Sequence, residues 1–195
     1  MQTVKIWCAL ALAYLCMLPA CSQKNKNAHE PPESWKTLAR ENYTIHYPDS
    51  LEVDESGKLG VRFFLYFPQE SPKDRFRENI NLTIEDLQGY DMSLEQYAEA
   101  SKRQILNYMP EAKILESSTE TDGTGNKYHR LIFEGAQGVA SGTDGTYNPR
   151  FDLTFVQHYR VVDGKAYVLT LTTERHRFAD YQETGEQIMH TFQVE

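Results

Sequence analysis

Apolar and polar residues alternate along several stretches of this chain with the two-residue period of a half-buried β-strand. Tyr43, Ile45 and Tyr47 alternate with Asn42, Thr44 and His46 up to Pro48, and Ile80, Leu82 and Ile84 alternate with Asn81, Thr83 and Glu85. Each pattern predicts a strand with one dry face. Val61 to Phe67 is apolar at nearly every position, which predicts a strand covered on both sides. Two longer runs, Phe151 to Val162 and Lys165 to Glu174, flank Asp163-Gly164, a pair that accepts the positive backbone angles of a tight hairpin. The turn sets the register, so Phe155 faces Thr172, His158 faces Leu169 and Tyr159 faces Val168. One face of the hairpin then carries Phe151, Leu153, Phe155 and Val168, and the other carries Val156, Tyr167, Leu169 and Leu171. Both faces need cover.

Two segments change to helical spacing. Ser93 opens the first: its hydroxyl accepts from the amide of Gln96 while Gln96 reaches back, and Leu94, Tyr97, Ala98, Ser101 and Ile105 follow until Pro110. The second runs from about 178 to 191, with Phe178, Tyr181, Ile188 and Phe192 available for packing. Gly185 weakens it by about 1 kcal/mol. Hairpins, a helix, more strands and a terminal helix predict an α+β fold, an antiparallel sheet flanked by helices, in one domain over residues 35–195.

The first 20 residues have a different character. Lys5 precedes an apolar run from Ile6 to Leu18, and small residues follow before Cys21, the layout of a secretory leader. The run falls short of the roughly 20 apolar residues that span a bilayer. Cysteines stand at 8, 16 and 21 and nowhere later, so no disulfide can form in the domain and its stability must come from a core. The junction Leu18-Pro19-Ala20-Cys21 resembles the lipobox of bacterial lipoproteins. The resemblance implies that Cys21 receives a diacylglyceryl thioether and becomes the acylated N-terminus, attaching the protein to a membrane through lipid. Acyl chains at about 0.8 kcal/mol per buried methylene hold firmly when two or three act together. Residues 21–34, rich in polar residues and ending near Pro31-Pro32, read as a flexible tether. Ser22 after Cys21 is compatible with the outer membrane, by resemblance to enteric lipoproteins in which Asp at that place retains the protein inside.

The formal net charge is −8, and losing the leader with Lys5 makes it one unit more negative. Nucleic acid is disfavoured as a partner, as is charge-driven attachment to anionic lipid.

Four segments together resemble the PsbP-like superfamily: Tyr43-Thr44-Ile45-His46-Tyr47-Pro48, Asn79-Ile80-Asn81-Leu82-Thr83-Ile84, Ser93-Leu94-Glu95-Gln96-Tyr97-Ala98, and Ala166 to Thr172 followed by Phe178, Ile188 and Phe192. Where the family often has Trp shortly after the Tyr-Pro pair, Leu51 stands here. The resemblance covers residues 35–195. It implies a helix-sheet-helix sandwich used mainly for binding, with no shared catalytic residues and no cofactor.

Candidate chemistry is sparse. Gly135, Gly138, Gly142 and Gly145 punctuate the approach to Asn148-Pro149 without the spacing of a phosphate loop. This segment is either a plain connection or a partner-binding loop with Gly138, Gly142, Gly145, Tyr147 and Arg150 as contacts, since aromatics and Arg anchor interfaces. His129 and His158 fall in strands and no metal-site spacing accompanies them. Ser141 lacks the spacing of a nucleophile elbow. Asp49, Glu52, Asp54 and Glu55 read as a hydrated surface turn without the order of a calcium loop, and Arg175-His176-Arg177 as a solvated junction. The tyrosines read as core residues rather than a sugar-stacking platform. The expected function is a non-enzymatic binding or accessory lipoprotein of the cell envelope with a protein partner. The alternatives are an envelope hydrolase or small-ligand enzyme using His129, His158 or the acidic residues, and a structural lipoprotein with no discrete ligand.

Overall fold

The computed structural model describes residues 31–138 and 150–195. Cys21, Ser141, Gly142, Gly145 and Tyr147 lie outside the described residues. In chain order the strands are β1 (Lys36–Arg40), β2 (Tyr43–Tyr47), β3 (Glu52–Asp54), β4 (Phe63–Tyr66), β5 (Asn79–Asp86), β6 (Lys113–Thr121), β7 (Lys127–Gly138), β8 (Arg150–Val162), β9 (Lys165–Glu174) and β10 (Gln193–Val194). The helices are α1 (Leu94–Tyr108), between β5 and β6, and α2 (Phe178–His190), between β9 and β10.

Seven strands form one antiparallel sheet in the order β3-β4-β5-β9-β8-β7-β6, and β1-β2-β10 form a small second sheet. The β8–β9 hairpin has the expected register, with Phe155 opposite Thr172, His158 opposite Leu169 and Tyr159 opposite Val168. Asp163 and Gly164 take φ of 48° and 71°, the left-handed pair that such a turn requires. Strand alternation then sorts residues to two faces. Leu131, Phe133, Leu153, Phe155, Tyr159 and Val168 pack with Tyr97 and Ala98 of α1. Ile80, Leu82, Val156, Leu169 and Leu171 pack with Ile188 and Met189 of α2 and with Ile45 of the small sheet. The layers are therefore α1, the large sheet, and α2 beside the small sheet.

Ser93 caps α1 as its sequence predicts: its hydroxyl accepts from the Gln96 amide at 3.3 Å, and the Gln96 side chain accepts from the Ser93 amide at 2.8 Å. Three expectations need correction. Glu52–Asp54 is a short edge strand paired with β4 rather than a turn. The outer face of β4 is covered by side chains and not by a second layer: Lys58 lies over the Phe64 and Tyr66 rings, and Arg77 over Tyr66. Arg175–Arg177 forms a 3-10 turn in which Arg177 is largely buried, packed over Tyr181 and hydrogen bonded to Glu70, so only part of that junction is solvated.

Candidate functional site

β7 and β8 lie next to each other inside the sheet, yet each carries charged residues on the face beneath α2. Tyr128, Arg130 and Ile132 of β7 share that face with Val156, His158 and Arg160 of β8, because Arg130 pairs with His158 and Ile132 with Val156 in the ladder. The edge strand β6 adds Glu116 and Glu120, opposite Ile132 and Tyr128. The last turns of α2 bring Glu186 and His190 over the same strip. The strip is thus the polar half of a face whose other half is the apolar core.

Burial makes pairing obligatory for these charges. Arg130, about one-tenth exposed, donates to both Glu186 oxygens at 2.8 and 3.1 Å and contacts Glu116 at 2.5 Å. Burial opposes its charge, but Glu186 and Glu116 more than offset this and raise its pKa. Arg160 and Asp122 pair at 2.8 Å with side chains 7% and 11% exposed. Asp122 also organises the β6–β7 turn, accepting from the Thr124 amide and hydroxyl and from the Asn126 amide at 2.6 to 2.9 Å. Burial alone would raise its carboxyl pKa; the Thr124 and Asn126 hydrogen bonds and the Arg160 guanidinium outweigh it and hold the group below the usual range.

Three rings cluster beside these pairs in tilted and edge-on contact. His158 lies 4.6 Å from the Tyr128 ring and 5.3 Å from that of His190. Its Nε2 is buried and has no hydrogen-bond partner. Burial, and then the nearby His190, Arg130 and Arg160, press its pKa well below the usual histidine value. Tyr128 donates to Glu120 at 2.6 Å, and burial followed by that carboxylate raises the phenol pKa. In front of the rings opens a cavity of about 320 Å³, lined by Pro31, His46, Glu120 to Thr124, Tyr128 and His190 to Gln193.

The two candidate histidines are not brought together. His129 pairs with Tyr159 in the ladder and faces α1, where Ser117 and Thr119 hydrogen bond its two ring nitrogens at 3.0 Å each. His158 faces α2. The acidic candidates sit at the far edge of the sheet and are engaged separately: Asp54 with Lys58, Glu55 with Arg40 and Glu52 with Arg77. The enzyme alternative that joined these groups therefore has no common pocket. Among the described residues, no group of three or more His, Cys, Asp or Glu side chains is placed to hold a metal ion.

Of the loop contacts, Gly138 ends β7 opposite Arg150 at the start of β8. Arg150 forms an ion pair with Glu111, just beyond α1; Tyr108, the last residue of α1, and Leu115 of β6 are exposed. The buried residues Tyr43, Tyr47, Tyr97, Tyr128, Tyr159 and Tyr167 serve the core, whereas Tyr90 and Tyr108 are exposed. Sequence reading missed the strip of Glu120, Asp122, Tyr128, Arg130, Arg160, Glu186 and His190. A signal was present: Arg130 and Arg160 interrupt two apolar strands at positions that face inward once the register is known.

No protein-family model matches the chain, and no curated protein matches its sequence. Solved structures share its fold. Cyanobacterial PsbP from Synechocystis is 15% identical with a TM-score of 0.57, over 85% of this chain and 95% of that one. LpqN, involved in cell envelope biogenesis of Mycobacterium tuberculosis, is 14% identical with a TM-score of 0.54, over 82% and 90%. The Ran-binding protein Mog1p of Saccharomyces cerevisiae is 11% identical with a TM-score of 0.50, over 82% and 95%. At these identities the likeness concerns the fold, which is PsbP-like α+β.

Proposed function

We propose that the protein is a lipid-anchored lipoprotein of the bacterial cell envelope, held through Cys21 and acting as a non-enzymatic binding or accessory module for a protein partner. The observation that carries the non-enzymatic part is the separation of His129 and His158 onto opposite faces of the sheet, each fitted into its own surroundings. The anchor rests on the Leu18-Pro19-Ala20-Cys21 junction. The polar composition of residues 22–34 suits a tether between that anchor and the domain. Ser22 favours the outer membrane as its location. The scaffold supports the reading by analogy: LpqN is involved in cell envelope biogenesis and Mog1p is Ran-binding.

The partner face is the end of the sheet where β7 gives way to β8. We assign to it Gly138 and Arg150, which pair where the two strands meet, with Gly142, Gly145 and Tyr147 of the intervening sequence as further contacts, and we add Tyr108 and Leu115, which are 79% and 46% exposed. Exposed aromatic and apolar residues, and Arg, are the residue types that anchor interfaces. Affinity capture with the lipidated chain from membranes should recover a stoichiometric partner that is lost with Tyr108→Ser. Recovery of none across several growth conditions would count against the proposal.

A further inference from the structure

Several hydrogen-bond donors at the wall of the cavity under the end of α2 are already engaged. The Thr124 hydroxyl and amide both donate to Asp122, the Tyr128 hydroxyl donates to Glu120, and the Thr191 hydroxyl lies 2.7 and 3.0 Å from the carbonyls of Ile188 and His46. Each oxygen of an ionised carboxylate has two lone pairs. Glu120 accepts one hydrogen bond at each oxygen, from Tyr128 and from Ser118, so acceptor capacity remains at the cavity wall.

Charge narrows the ligand further. Around the strip, Glu116, Glu120, Asp122 and Glu186 outnumber Arg130 and Arg160 by two. Both guanidiniums are engaged, with Glu186, Glu116 and Asp122, while the hydrogen bonds to Glu120 come from neutral hydroxyls. His158, directly behind Tyr128 and His190, does not supply the missing charge, since it is buried beside both arginines. A neutral polyhydroxyl ligand would fill the lone pairs but leave the charge, and an anion would meet repulsion. A volume of about 320 Å³ lies near the lower end of the roughly 300–1,000 Å³ of small-molecule sites.

We infer that this cavity binds a small molecule carrying a primary ammonium group among hydroxyl or amide groups, with Glu120 as the ion-pair partner of the ammonium. The inference concerns the folded domain and stands whether or not Cys21 carries lipid.

The test is an NMR titration of the isotope-labelled full chain with glucosamine, and in parallel with glucose, which has a hydroxyl in place of the amine. Glucosamine should move the resonances of residues 120–124, 128 and 190–193 in a saturable way, and glucose should not. Glu120→Gln should weaken glucosamine about tenfold, a loss of about 1.4 kcal/mol. Gln193→Lys, at an exposed position of β10 on the cavity rim, should also weaken it by supplying a competing ammonium, and it decides the matter if Glu120→Gln folds poorly. Equal shifts from both sugars, no shifts from either, or wild-type binding by the variants would overturn the inference.

Discussion

Gly185 looks like a defect in α2 and is instead what lets the helix lie close to the sheet. A Cβ added there would stand 2.6 Å from Cδ2 of Leu171, 3.0 Å from its Cδ1 and 3.3 Å from its Cγ. Leu171 is fully buried on β9, so its side chain has nowhere to retreat without disturbing the core. Gly185→Ala gains about 1 kcal/mol of helix propensity and meets an overpacking cost of about 1–3 kcal/mol. The expected net is a loss of about 1 kcal/mol, or roughly 2–4 °C in Tm for a domain of this size. Urea unfolding of four proteins checks it: wild type, Gly185→Ala, Leu171→Val and the double variant. Removing the δ-carbons should make the alanine cheaper, with a coupling of about 1 kcal/mol in the cycle. Glucosamine titration of the same set links packing to the site, because Glu186 and His190 follow Gly185 on α2 and would be lifted with it. A rise in urea midpoint for Gly185→Ala in the wild-type background, or a cycle with no coupling, would refute the reasoning.

Three further outcomes follow from the buried polar strip and the cap. Because the His158 pKa is depressed in the folded state, its stabilising effect is complete above the unfolded value of about 6.5 and declines as pH falls below it. The slope from this residue approaches about 1.4 kcal/mol per pH unit, and the difference between wild type and His158→Phe in urea unfolding from about pH 7 to 5 should show it. Asp122→Ala leaves Arg160 buried without its partner and undoes the β6–β7 turn, so it should cost about 3–5 kcal/mol in chemical denaturation, whereas a double variant with Arg160→Met should recover part of the loss. Ser93→Ala removes one half of the capping box and should cost about 1 kcal/mol by the same assay.

Legibility differed from element to element for physical reasons. The β8–β9 hairpin could be read to the register because Asp163-Gly164 admits one tight turn and both strands alternate strongly. The start of α1 was equally plain, because Ser93 and Gln96 satisfy each other locally. Strand β6 was not legible: Glu116, Ser117, Ser118 and Thr119 lie at the edge of the sheet, where no apolar face is needed. The small sheet was only half visible. β2 alternates, but β1 buries Leu38 alone and β10 has two residues, too little for a periodic signal. The strip beneath α2 was hidden for a different reason. Its pairs, Arg130 with Glu186 and Arg160 with Asp122, are distant in sequence, and pairing of charges across a fold leaves no local spacing to detect.

Intact-mass analysis of the mature protein purified from cell membranes tests lipid attachment at Cys21 most directly. The predicted result is a chain beginning at Cys21 with the added mass of a diacylglyceryl group and fatty acid, lost from the membrane fraction in Cys21→Ser. An unmodified thiol at that residue, or a chain that keeps residues 1–20, would contradict it.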